Sequence, residues 1–437
     1  MGERHLFGTD GVRGLANEDL TPTMVFDLAR AAGENREGHV IVGRDTRRSG
    51  PMLAAALMAG FNSVGIDTVD LGIIPVGAVS RLVRDTNALF GIMVSASHNP
   101  APDNGIKFFG ANGTKLADDD EAAIEARFFE GDPWLRGIGP RIGIQTVMGD
   151  ATERYVETIS RPVEYSMRGM EFVADAANGA AFLAAPALFE RVGATVEFIN
   201  VDPDGMNINE GCGATHPERV ARDANGRVGL SFDGDADRLI AIDEDGVVAD
   251  GDVIMAIFAQ WMKDRGRLKN DTVVTTVMAN LGFRKAMEHL GINVIETSVG
   301  DRYVLEAMRT SRAVVGGEQS GHVLLEDRAT GDGLRTALRL MEVMASTGKE
   351  LRELRTVMSA YPQVLNNVTV TDKDFESNET VIASIAAGER ALGTRGRLLV
   401  RPSGTEPLIR VMVEAPTESE AEEVAAAVAA TVEAELA

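Results

Sequence analysis

The stretch HVIVGRDTRRSGPMLAAALMAGFNSVGIDTVDLG, residues 39–72, is the strongest indication of the fold class. Its apolar start, HVIV, is typical of a buried strand, and the polar residues after it predict a loop. The segment PMLAAALMAGFNSVG then predicts a helix that ends at Gly65, because glycine suits the left-handed end of a helix. IDTVDLG is the next predicted strand. A strand–helix–strand unit of this length predicts a right-handed crossover between parallel strands.

Two later stretches repeat this pattern. They begin with MEFVADAANGAA at residue 170 and with DTVVTTVMANLGF at residue 271. In each of them a predicted helix ends at a glycine, Gly193 or Gly291, and a second strand follows, ATVEFINVD or INVIETS. The three copies predict three α/β domains of similar topology.

The chain from residue 366 onward has a different pattern. It contains the predicted strands NNVTVTDKD, GRLLVRPSG and LIRVMVEAP, and then an acidic tail whose Ala and Glu content predicts a helix. This combination indicates a smaller α+β domain. We therefore expect four domains, with boundaries at 1–150, 151–252, 253–365 and 366–437.

Composition excludes several classes of protein. A chain of 437 residues with 44% apolar and 25% charged residues is too long for one core and is ordinary for a globular protein. No apolar run approaches the ~20 residues that span a bilayer, and the N-terminus lacks the apolar region of a signal peptide. The single cysteine, Cys212, excludes a disulfide framework. We expect no membrane partner and a cytoplasmic location.

The net charge of −23 argues against a nucleic-acid partner, whose phosphates would be repelled. We interpret the acidic surface as a means of staying in solution. Our hypothesis is that basic residues are concentrated locally, in the cleft that binds an anionic ligand.

The segment FGIMVSASHNPAPDNGIKFF, residues 90–109, places a polar loop between two apolar strands. Ligands gather at the ends of strands in α/β folds. Ser97 is therefore a candidate nucleophile or phosphoryl carrier, and His98 lies beside it. The alternative is a capped turn, since Ser, Asn and Pro are common turn residues.

The segment VGLSFDGDADRLIAIDEDG, residues 228–246, contains three closely spaced carboxylates, Asp233, Asp235 and Asp237. Hard oxygen ligands of this kind suit Mg²⁺ or Ca²⁺. An EF-hand loop would match these positions and Glu244, but it needs glycine where Arg238 stands and helices where both flanks are strand-like. The other alternative is an acidic hairpin turn, in which three close carboxylates without a cation would be costly.

Three carboxylates leave open positions on a hard cation, and a phosphate oxygen could fill one of them. A phosphate on Ser97 would then complete the metal site formed by Asp233, Asp235 and Asp237. Arg238 lies next to these residues in the sequence and could contact the same phosphoryl group.

The segment GGEQSGH, residues 316–322, is bounded by glycines that let the backbone approach a ligand closely. Glu318, Ser320 and His322 offer a carboxylate, a hydroxyl and an imidazole, which suit sugar hydroxyls. A polar surface turn is the alternative.

The segment RPSGTEPLIRV, residues 401–411, is a basic loop in an acidic chain. Its hydroxyls, backbone N–H groups and two guanidiniums predict an anion site. The residues that we expect to bind phosphate are Arg401, Ser403, Gly404, Thr405 and Arg410.

The segment FGTDGVRG, residues 7–14, surrounds Asp10 and Arg13 with three glycines. Arg13 could touch a phosphate or polarise a sugar oxygen, and a tight N-terminal loop is the alternative. These residues match neither GxGxxG nor GxxxxGK[ST], so dinucleotide and P-loop nucleotide sites lack support.

Taken together and in this order, the five motifs resemble those of the α-D-phosphohexomutase family across the whole chain. The resemblance implies a fold class of α/β, in which three topologically similar α/β domains with mixed sheets and a smaller C-terminal α+β domain surround a central cleft. The segments CGATHPE and VGDRYV add a closer resemblance to bacterial members that interconvert glucosamine 6-phosphate and glucosamine 1-phosphate. Members usually have serine where this chain has Ala214.

The resemblance also implies roles for individual residues. Ser97 matches the phosphoserine, and its phosphate completes a Mg²⁺ site, one per chain, with Asp233, Asp235 and Asp237. The segment that contains Glu318, Ser320 and His322 matches the sugar-binding loop. The loop from Arg401 to Arg410 matches the one that holds the non-transferring phosphate.

The expected reaction begins with phospho-Ser97, which donates its phosphoryl group to the free oxygen of a hexose monophosphate. A bisphosphorylated hexose forms and reorients end over end in the site. It then returns its other phosphoryl group to Ser97. The candidates for general acid or base are His98, Lys107, Arg13 and His322, and the resemblance favours Lys107 and Arg13. The small-molecule phosphosugar is the expected partner, and a homodimer is left open.

Three alternatives remain at this stage. The substrate could be glucose or mannose phosphate instead of glucosamine phosphate. The chain could also be a metal-dependent phosphosugar phosphatase, or a phosphosugar sensor without catalysis. A separate phosphate site beside a nucleophile and a metal site favours transfer, because a sensor needs no nucleophile.

Overall fold

The computed structural model of the chain describes residues 6–8, 10–131, 136–326, 329–403 and 407–437. The chain divides into two compact units. Unit 1 contains Met1–Met278 and Ile292–Val357, and unit 2 contains Ala279–Gly291 and Met358–Ala437. Over the described residues, unit 1 holds three β-sheets and unit 2 holds one.

The first sheet of unit 1 has six strands and is accompanied by five helices. The strands are β1 (Val12–Leu15), β2 (His39–Arg44), β3 (Asp67–Ile73), β4 (Phe90–Val94), β5 (Asp103–Gly110) and β6 (Gln145–Val147). Their order is β1-β5-β4-β2-β3-β6. The helices are α1 (Pro22–Gly33), α2 (Gly50–Ser63), α3 (Val76–Asp85), α4 (Asp118–Glu130) and α5 (Ala151–Ser160).

The stretch 39–72 folds as the sequence predicts, into β2, α2 and β3. β2 pairs in parallel with both β3 and β4, and β5 runs antiparallel to β1 and β4, so the sheet is mixed. Every residue of β4 is buried, as expected for an apolar strand inside a sheet. The core lies between this sheet and α1, α2 and α4.

The second sheet of unit 1 has five strands, in the order β11-β10-β9-β7-β8. β7 pairs in parallel with β8 and β9, whereas β10 runs antiparallel to β9 and β11. The elements of this part are β7 (Glu171–Asp175), α6 (Ala181–Val192), β8 (Thr195–Ile199), α7 (Glu218–Ala224), β9 (Val228–Phe232), β10 (Leu239–Ile242) and β11 (Val248–Ala249).

The third sheet of unit 1 has four strands, in the order β13-β12-β14-β15. β12 pairs in parallel with β13 and β14, and β14 and β15 form an antiparallel hairpin. The elements are α8 (Gly251–Asp264), β12 (Thr272–Thr276), α9 (Leu281–His289), β13 (Asn293–Thr297), α10 (Asp301–Ser311), β14 (Val315–Gly317), β15 (Val323–Leu325), α11 (Gly333–Thr347) and α12 (Leu351–Leu354). Of these, α9 belongs to unit 2.

Unit 2 is the smaller α+β part. It has an antiparallel sheet of three strands, in the order β16-β18-β17, with two long helices against it. Its elements besides α9 are β16 (Gln363–Thr369), α13 (Glu379–Leu392), β17 (Arg397–Pro402), β18 (Leu408–Glu414) and α14 (Glu418–Leu436). Its core contains apolar residues of β16, β18 and α14. The predicted fold class, α/β domains with mixed sheets followed by a smaller α+β domain, is confirmed.

Local sequence explains where these helices begin and end. Thr21 caps α1, where its Oγ1 accepts from the Met24 N–H at 3.2 Å, and Asp332 caps α11 through the Arg335 N–H at 2.9 Å. The predicted helix-ending glycines, Gly65, Gly193 and Gly291, all have left-handed φ values of 90°, 80° and 64°. None of the helices in the described parts of the chain combines the length and apolarity that crossing a membrane requires.

Candidate active site

Ser97 lies in the loop that connects β4 to β5. Its φ of 52° is in the left-handed region, where a non-glycine residue costs about 1–3 kcal/mol, and its side chain is buried. Its N–H donates to Ser95 Oγ at 2.9 Å, and its Oγ donates to Asp233 Oδ2 at 2.6 Å. The loop therefore holds the Ser97 hydroxyl against a carboxylate of the second sheet.

Arg47 supports this loop from the end of β2, and it was not among the residues predicted from the sequence. Its buried guanidinium pairs with Asp45 at 2.8 Å and donates to the backbone oxygens of Ser97 at 2.9 Å and Asn99 at 2.8 Å. It also donates to the carbonyls of Pro100 in the loop and of Asp103 at the start of β5. The available signal was its position: Arg47 follows β2 closely, and the carboxyl end of β2 lies beside that of β4.

A residue of the second sheet's loops also supports Ser97. Asn209 Nδ2 donates to the Ser97 carbonyl at 2.9 Å and to the Asn99 carbonyl at 3.2 Å. The loop around Ser97 is thus tied both to its own sheet and to the second sheet.

The three carboxylates lie in the loop between β9 and β10. Asp233, Asp235 and Asp237 are buried, and each offers an oxygen within 4.8 Å of the others. Backbone N–H groups at the starts of three helices donate to the carbonyls of this loop at 2.8–3.0 Å. The N–H of Ala180 donates to Gly234, that of Val76 to Asp235 and that of Gly333 to Ala236. Helix N-termini carry partial positive charge and so suit this acidic loop.

These carboxylates fit a small hard cation. Asp235 Oδ1 and Asp237 Oδ1 are buried and lack a hydrogen-bond partner among the described residues. Burial, followed by the negative charges of Asp237 and Asp235, raises the pKa of Asp233 well above its ordinary value. A cation would relieve this repulsion, so the buried Asp triad can bind a metal ion.

Cationic side chains approach the same carboxylates. Lys107 Nζ on β5 lies 2.8 Å from Asp235 and 3.9 Å from Asp237. Although burial opposes it, the nearby carboxylates of Asp10, Asp235 and Asp237 raise the pKa of Lys107. Arg238 Nε lies 3.7 Å from Asp237 Oδ1 and 4.0 Å from Asp233 Oδ2.

The other acid–base candidates lie nearer to Ser97. His98 Nδ1 is 3.4 Å from Ser97 Oγ, and burial, followed by the charges of Arg238 and Arg13, lowers the pKa of His98 to about 4. Arg13 on β1 pairs with Asp10 and donates to the Ala96 carbonyl at 3.3 Å. The predicted catalytic residues therefore lie around the Ser97 loop and the Asp triad. They are Ser97, His98, Lys107 and Arg13.

The predicted sugar-binding residues lie in the hairpin loop between β14 and β15. Glu318 Oε1 accepts from the Gly300 N–H at 3.1 Å, and Ser320 Oγ lies 3.5 Å from the other Glu318 oxygen. The Leu239 N–H donates to the Gly321 carbonyl at 3.0 Å, which joins this loop to the end of the acidic loop.

His322 ends the loop that we predicted to bind sugar, and it is buried against the Asp triad. Its Nδ1 is 3.3 Å from Asp237 Oδ2, and its Nε2 is 3.5 Å from Asp301 Oδ2. Burial opposes protonation, but the carboxylates of Asp237, Asp301 and Glu318 raise the pKa of His322 to about 9. The Gly331 N–H lies 3.0 Å from Nε2, and only a neutral ring with its proton on Nδ1 can accept it, so this contact favours the neutral ring whereas the carboxylates favour the protonated one.

The predicted phosphate-binding residues lie in unit 2. Arg401 on β17 and Arg410 on β18 are directly opposite each other in the antiparallel pair. Burial, followed by the charge of Arg410, lowers the pKa of Arg401. Ser403 is buried and its carbonyl accepts from Lys373 Nζ at 2.9 Å, which adds a cation that we had not predicted. Gly404 and Thr405 lie outside the described residues.

Family models match the chain in four successive segments. They are described as phosphoglucomutase/phosphomannomutase, alpha/beta/alpha domains I, II and III and the C-terminal domain, and they match residues 4–133, 153–246, 250–361 and 365–431. Together they cover most of the chain.

Curated relatives match over nearly the full length. The phosphoglucosamine mutase of Moorella thermoacetica is 50% identical over 432 residues, which cover 96% of this chain and 97% of that protein. The phosphoglucosamine mutase of Bacillus subtilis is 48% identical over 422 residues, which cover 94% of each.

Solved structures share the fold. A phosphoglucomutase/phosphomannomutase family protein from Burkholderia thailandensis matches with a TM-score of 0.82 and 24% identity, over 98% of this chain and 97% of that chain. The Aspergillus fumigatus N-acetylphosphoglucosamine mutase in complex with GlcNAc-6P and magnesium matches with a TM-score of 0.72 and 20% identity, over 99% and 96%. The resemblance to the α-D-phosphohexomutases that we inferred from five motifs is confirmed: the chain belongs to the phosphoglucomutase/phosphomannomutase family.

Proposed function

We propose that this chain is a phosphoglucosamine mutase. It interconverts glucosamine 6-phosphate and glucosamine 1-phosphate through a phosphorylated Ser97 and a bisphosphorylated sugar. The observation that carries the transfer chemistry is the Ser97 hydroxyl, held at 2.6 Å from Asp233 in a buried carboxylate triad. The choice of glucosamine rests on relatives of that name that are about half identical over nearly the whole chain.

The metal in this proposal is Mg²⁺, held by Asp233, Asp235, Asp237 and an oxygen of phospho-Ser97. When bound, it would neutralise negative charge on the transferring phosphoryl group. An all-oxygen donor set suits this ion, and the fungal mutase with a similar fold was solved with magnesium.

The residues of unit 1 would carry the transfer. In the first half-reaction the bond from phosphorus to Ser97 Oγ breaks, and a bond from phosphorus to the sugar hydroxyl forms. The hydroxyl proton passes to a nearby base, for which the sequence offered His98, Lys107, Arg13 and His322. His98 fits best, because its pKa of about 4 leaves the ring unprotonated near neutral pH, whereas the raised pKa of Lys107 keeps that side chain protonated. Lys107 and Arg238 would stabilise charge on the phosphoryl oxygens, because both cations already face the triad. The second half-reaction reverses these bond changes at the other end of the sugar.

Other residues would bind the sugar phosphate. Glu318, Ser320 and His322 remain our prediction for the sugar hydroxyls, although His322 also contacts Asp237. We assign the phosphate that is not transferred to Arg401, Ser403, Gly404, Thr405 and Arg410, because guanidiniums match phosphate geometry.

Parallel assays of the 6-phosphates of glucosamine, glucose and mannose would test the function. Each is incubated with the purified chain, Mg²⁺ and a trace of the matching bisphosphate, and the 1-phosphate and free phosphate are followed by ³¹P NMR. We expect fastest formation of glucosamine 1-phosphate, and loss of turnover on chelation that added Mg²⁺ restores. Faster turnover of glucose or mannose phosphate would show that glucosamine phosphate is not the preferred substrate. Phosphate release without isomer formation would show that the chain is a phosphatase and not a mutase.

A further inference from the structure

Lys115 lies outside the motifs that identify the family, and it is held by carboxylates from two parts of unit 1. It follows β5, in a loop where it forms a bridge to Phe109. Its Nζ pairs with Asp10 near β1 and with Asp301 at the start of α10, the latter at 2.7 Å. Burial opposes the charge, yet Asp301 and Asp10 raise the pKa of Lys115 above its ordinary value. Lys115 therefore joins the first sheet to the third as a cation.

One of these carboxylates leads to the metal triad through Lys107. Asp10 Oδ2 lies 2.9 Å from Lys107 Nζ, and the same Nζ lies 2.8 Å from Asp235 Oδ2. The position of Lys107 therefore depends on Asp10, whose other carboxylate oxygen pairs with Lys115.

The other carboxylate leads to the triad through His322. Asp301 Oδ2 lies 3.5 Å from His322 Nε2, and His322 Nδ1 lies 3.3 Å from Asp237 Oδ2. The two paths end on different carboxylates of the triad. Together with the triad, the two paths form a closed ring of charged and polar side chains. Lys115 is the member of this ring that connects the first sheet to the third.

The ring alternates acid and base along both paths. Without the Lys115 charge, Asp10 would still pair with Lys107 and Arg13, whereas Asp301 would still contact His322. The two carboxylates would then face each other across the place that the ammonium occupied, and mutual repulsion would drive them apart. Movement of either one shifts a side chain that contacts the triad.

We infer that Lys115 is a positioning residue for the phosphoryl-transfer site, which it serves by holding Asp10 and Asp301 and, through them, Lys107 and His322. This inference rests on the proposed function for its kinetic consequence. It does not depend on that function for its effect on the metal site. Lys115 touches neither Ser97 nor the triad itself in any contact that the described residues show.

The test uses the full chain and the substitutions Lys115→Met, which removes the charge at similar length, and Lys115→Arg, which restores it. The matched control is Arg44→Met, since Arg44 and Asp70 form an ion pair at 2.9 Å with side-chain exposures of 19% and 20%, close to the 19% and 15% of Lys115 and Asp301. Three quantities are measured: kcat and KM for glucosamine 6-phosphate, and the Mg²⁺ concentration that gives half of the maximal rise in Tm.

We expect Lys115→Met to weaken Mg²⁺ binding and to lower kcat by roughly 10–100-fold each, as substitutions behind metal ligands do. KM should change little, Lys115→Arg should recover most of both losses, and Arg44→Met should resemble the parent chain. A Lys115→Met variant with unchanged Mg²⁺ binding would overturn the inference, as would equal losses in Arg44→Met or a change confined to KM.

The Mg²⁺ titration needs no turnover, so the two proposals can fail separately. If the parent chain acts on none of the three hexose phosphates, the proposed function is wrong and the Mg²⁺ titration still decides the role of Lys115. If the Met variant does not fold, Asp301→Asn, which removes the charge of the partner, is expected to weaken Mg²⁺ binding in the same way, and unchanged binding would contradict the inference.

Discussion

At the scale of single residues, the site depends on Ser97 being held in a costly conformation. Arg47 and Asn209 stabilise its left-handed backbone by donating to the Ser97 carbonyl, and the Ser97 N–H donates to Ser95 Oγ. Strain of this kind persists only where the surroundings determine the conformation, and it is concentrated at functional sites. The result is a hydroxyl that points at Asp233 before any substrate binds.

Ser97→Ala should abolish turnover, because no oxygen remains to carry the phosphoryl group. We expect kcat to fall by at least roughly 10⁴-fold while the far-UV circular dichroism stays that of the parent chain. Intact-mass analysis should also show that a phosphate present on the parent chain is lost.

The control for this prediction is Ser63→Ala, which removes a hydroxyl at the end of α2 that donates to the Gly60 carbonyl. It should leave turnover unchanged. Mutase activity retained by Ser97→Ala would show that the phosphoryl carrier is another residue.

At the scale of elements, the acidic loop between β9 and β10 is placed by close backbone packing. Three helix N-termini bind its carbonyls, and Gly234 lies so near the Ser97 loop that a Cβ there would be 2.4 Å from the Ser97 carbonyl and 2.8 Å from Asn209 Nδ2. Glycine is therefore required at this position by a contact between two loops.

Gly234→Ala should push the two loops apart and so separate Ser97 from Asp233. We expect a lower Tm and a loss of turnover of about 100-fold, since a displacement near 1 Å at a reacting group costs that much. Gly149→Ala is the matched control, because its added Cβ would meet nothing within 4 Å. Equal activity of the two variants would argue against tight contact between the loops.

At the scale of the whole molecule, the predicted site residues are divided between two compact units. Unit 1 contains Ser97, the Asp triad and the loop predicted to bind sugar, and unit 2 contains the Arg401 and Arg410 pair. Two like charges opposite each other across strands destabilise a sheet, so this pair is better explained by binding an anion than by stability.

Arg401→Ala should therefore impair the enzyme without impairing the fold. A charge-assisted hydrogen bond contributes about 1.5–3 kcal/mol, so we expect KM for the sugar phosphate to rise by roughly 10–100-fold. The Tm should stay the same or rise slightly, because repulsion from Arg410 is relieved.

Arg390→Ala, at an exposed position on α13, is the control, and neither KM nor Tm should change. A drop in Tm for Arg401→Ala with an unchanged KM would indicate a structural role for Arg401 and would contradict the assignment.

Local periodicity and short spacing in the chain were sufficient to predict several parts of this protein. The strand–helix–strand copies at 39, 170 and 271, their helix-ending glycines and the smaller C-terminal part all follow from residues that are near each other in the chain. The Asp triad was also predictable, since alternate carboxylates within one loop lie near each other in the chain, although contacts from three helix N-termini hold that loop in place. The proposed boundaries at 150, 252 and 365 stay predictions.

The distant residues that support the site could be identified only from the folded chain. Arg47, Asn209 and Lys115 were not predicted, because a lone Arg, Asn or Lys in a loop has no periodic pattern and its role depends on which carbonyls or carboxylates packing brings to it. His322 was predicted as a sugar ligand and as one of four acid–base candidates, and its contacts with both Asp237 and Asp301 follow only from folding. Local pattern determines the elements and the ligands, whereas long-range packing determines the hydrogen bonds and charges that hold those ligands in position.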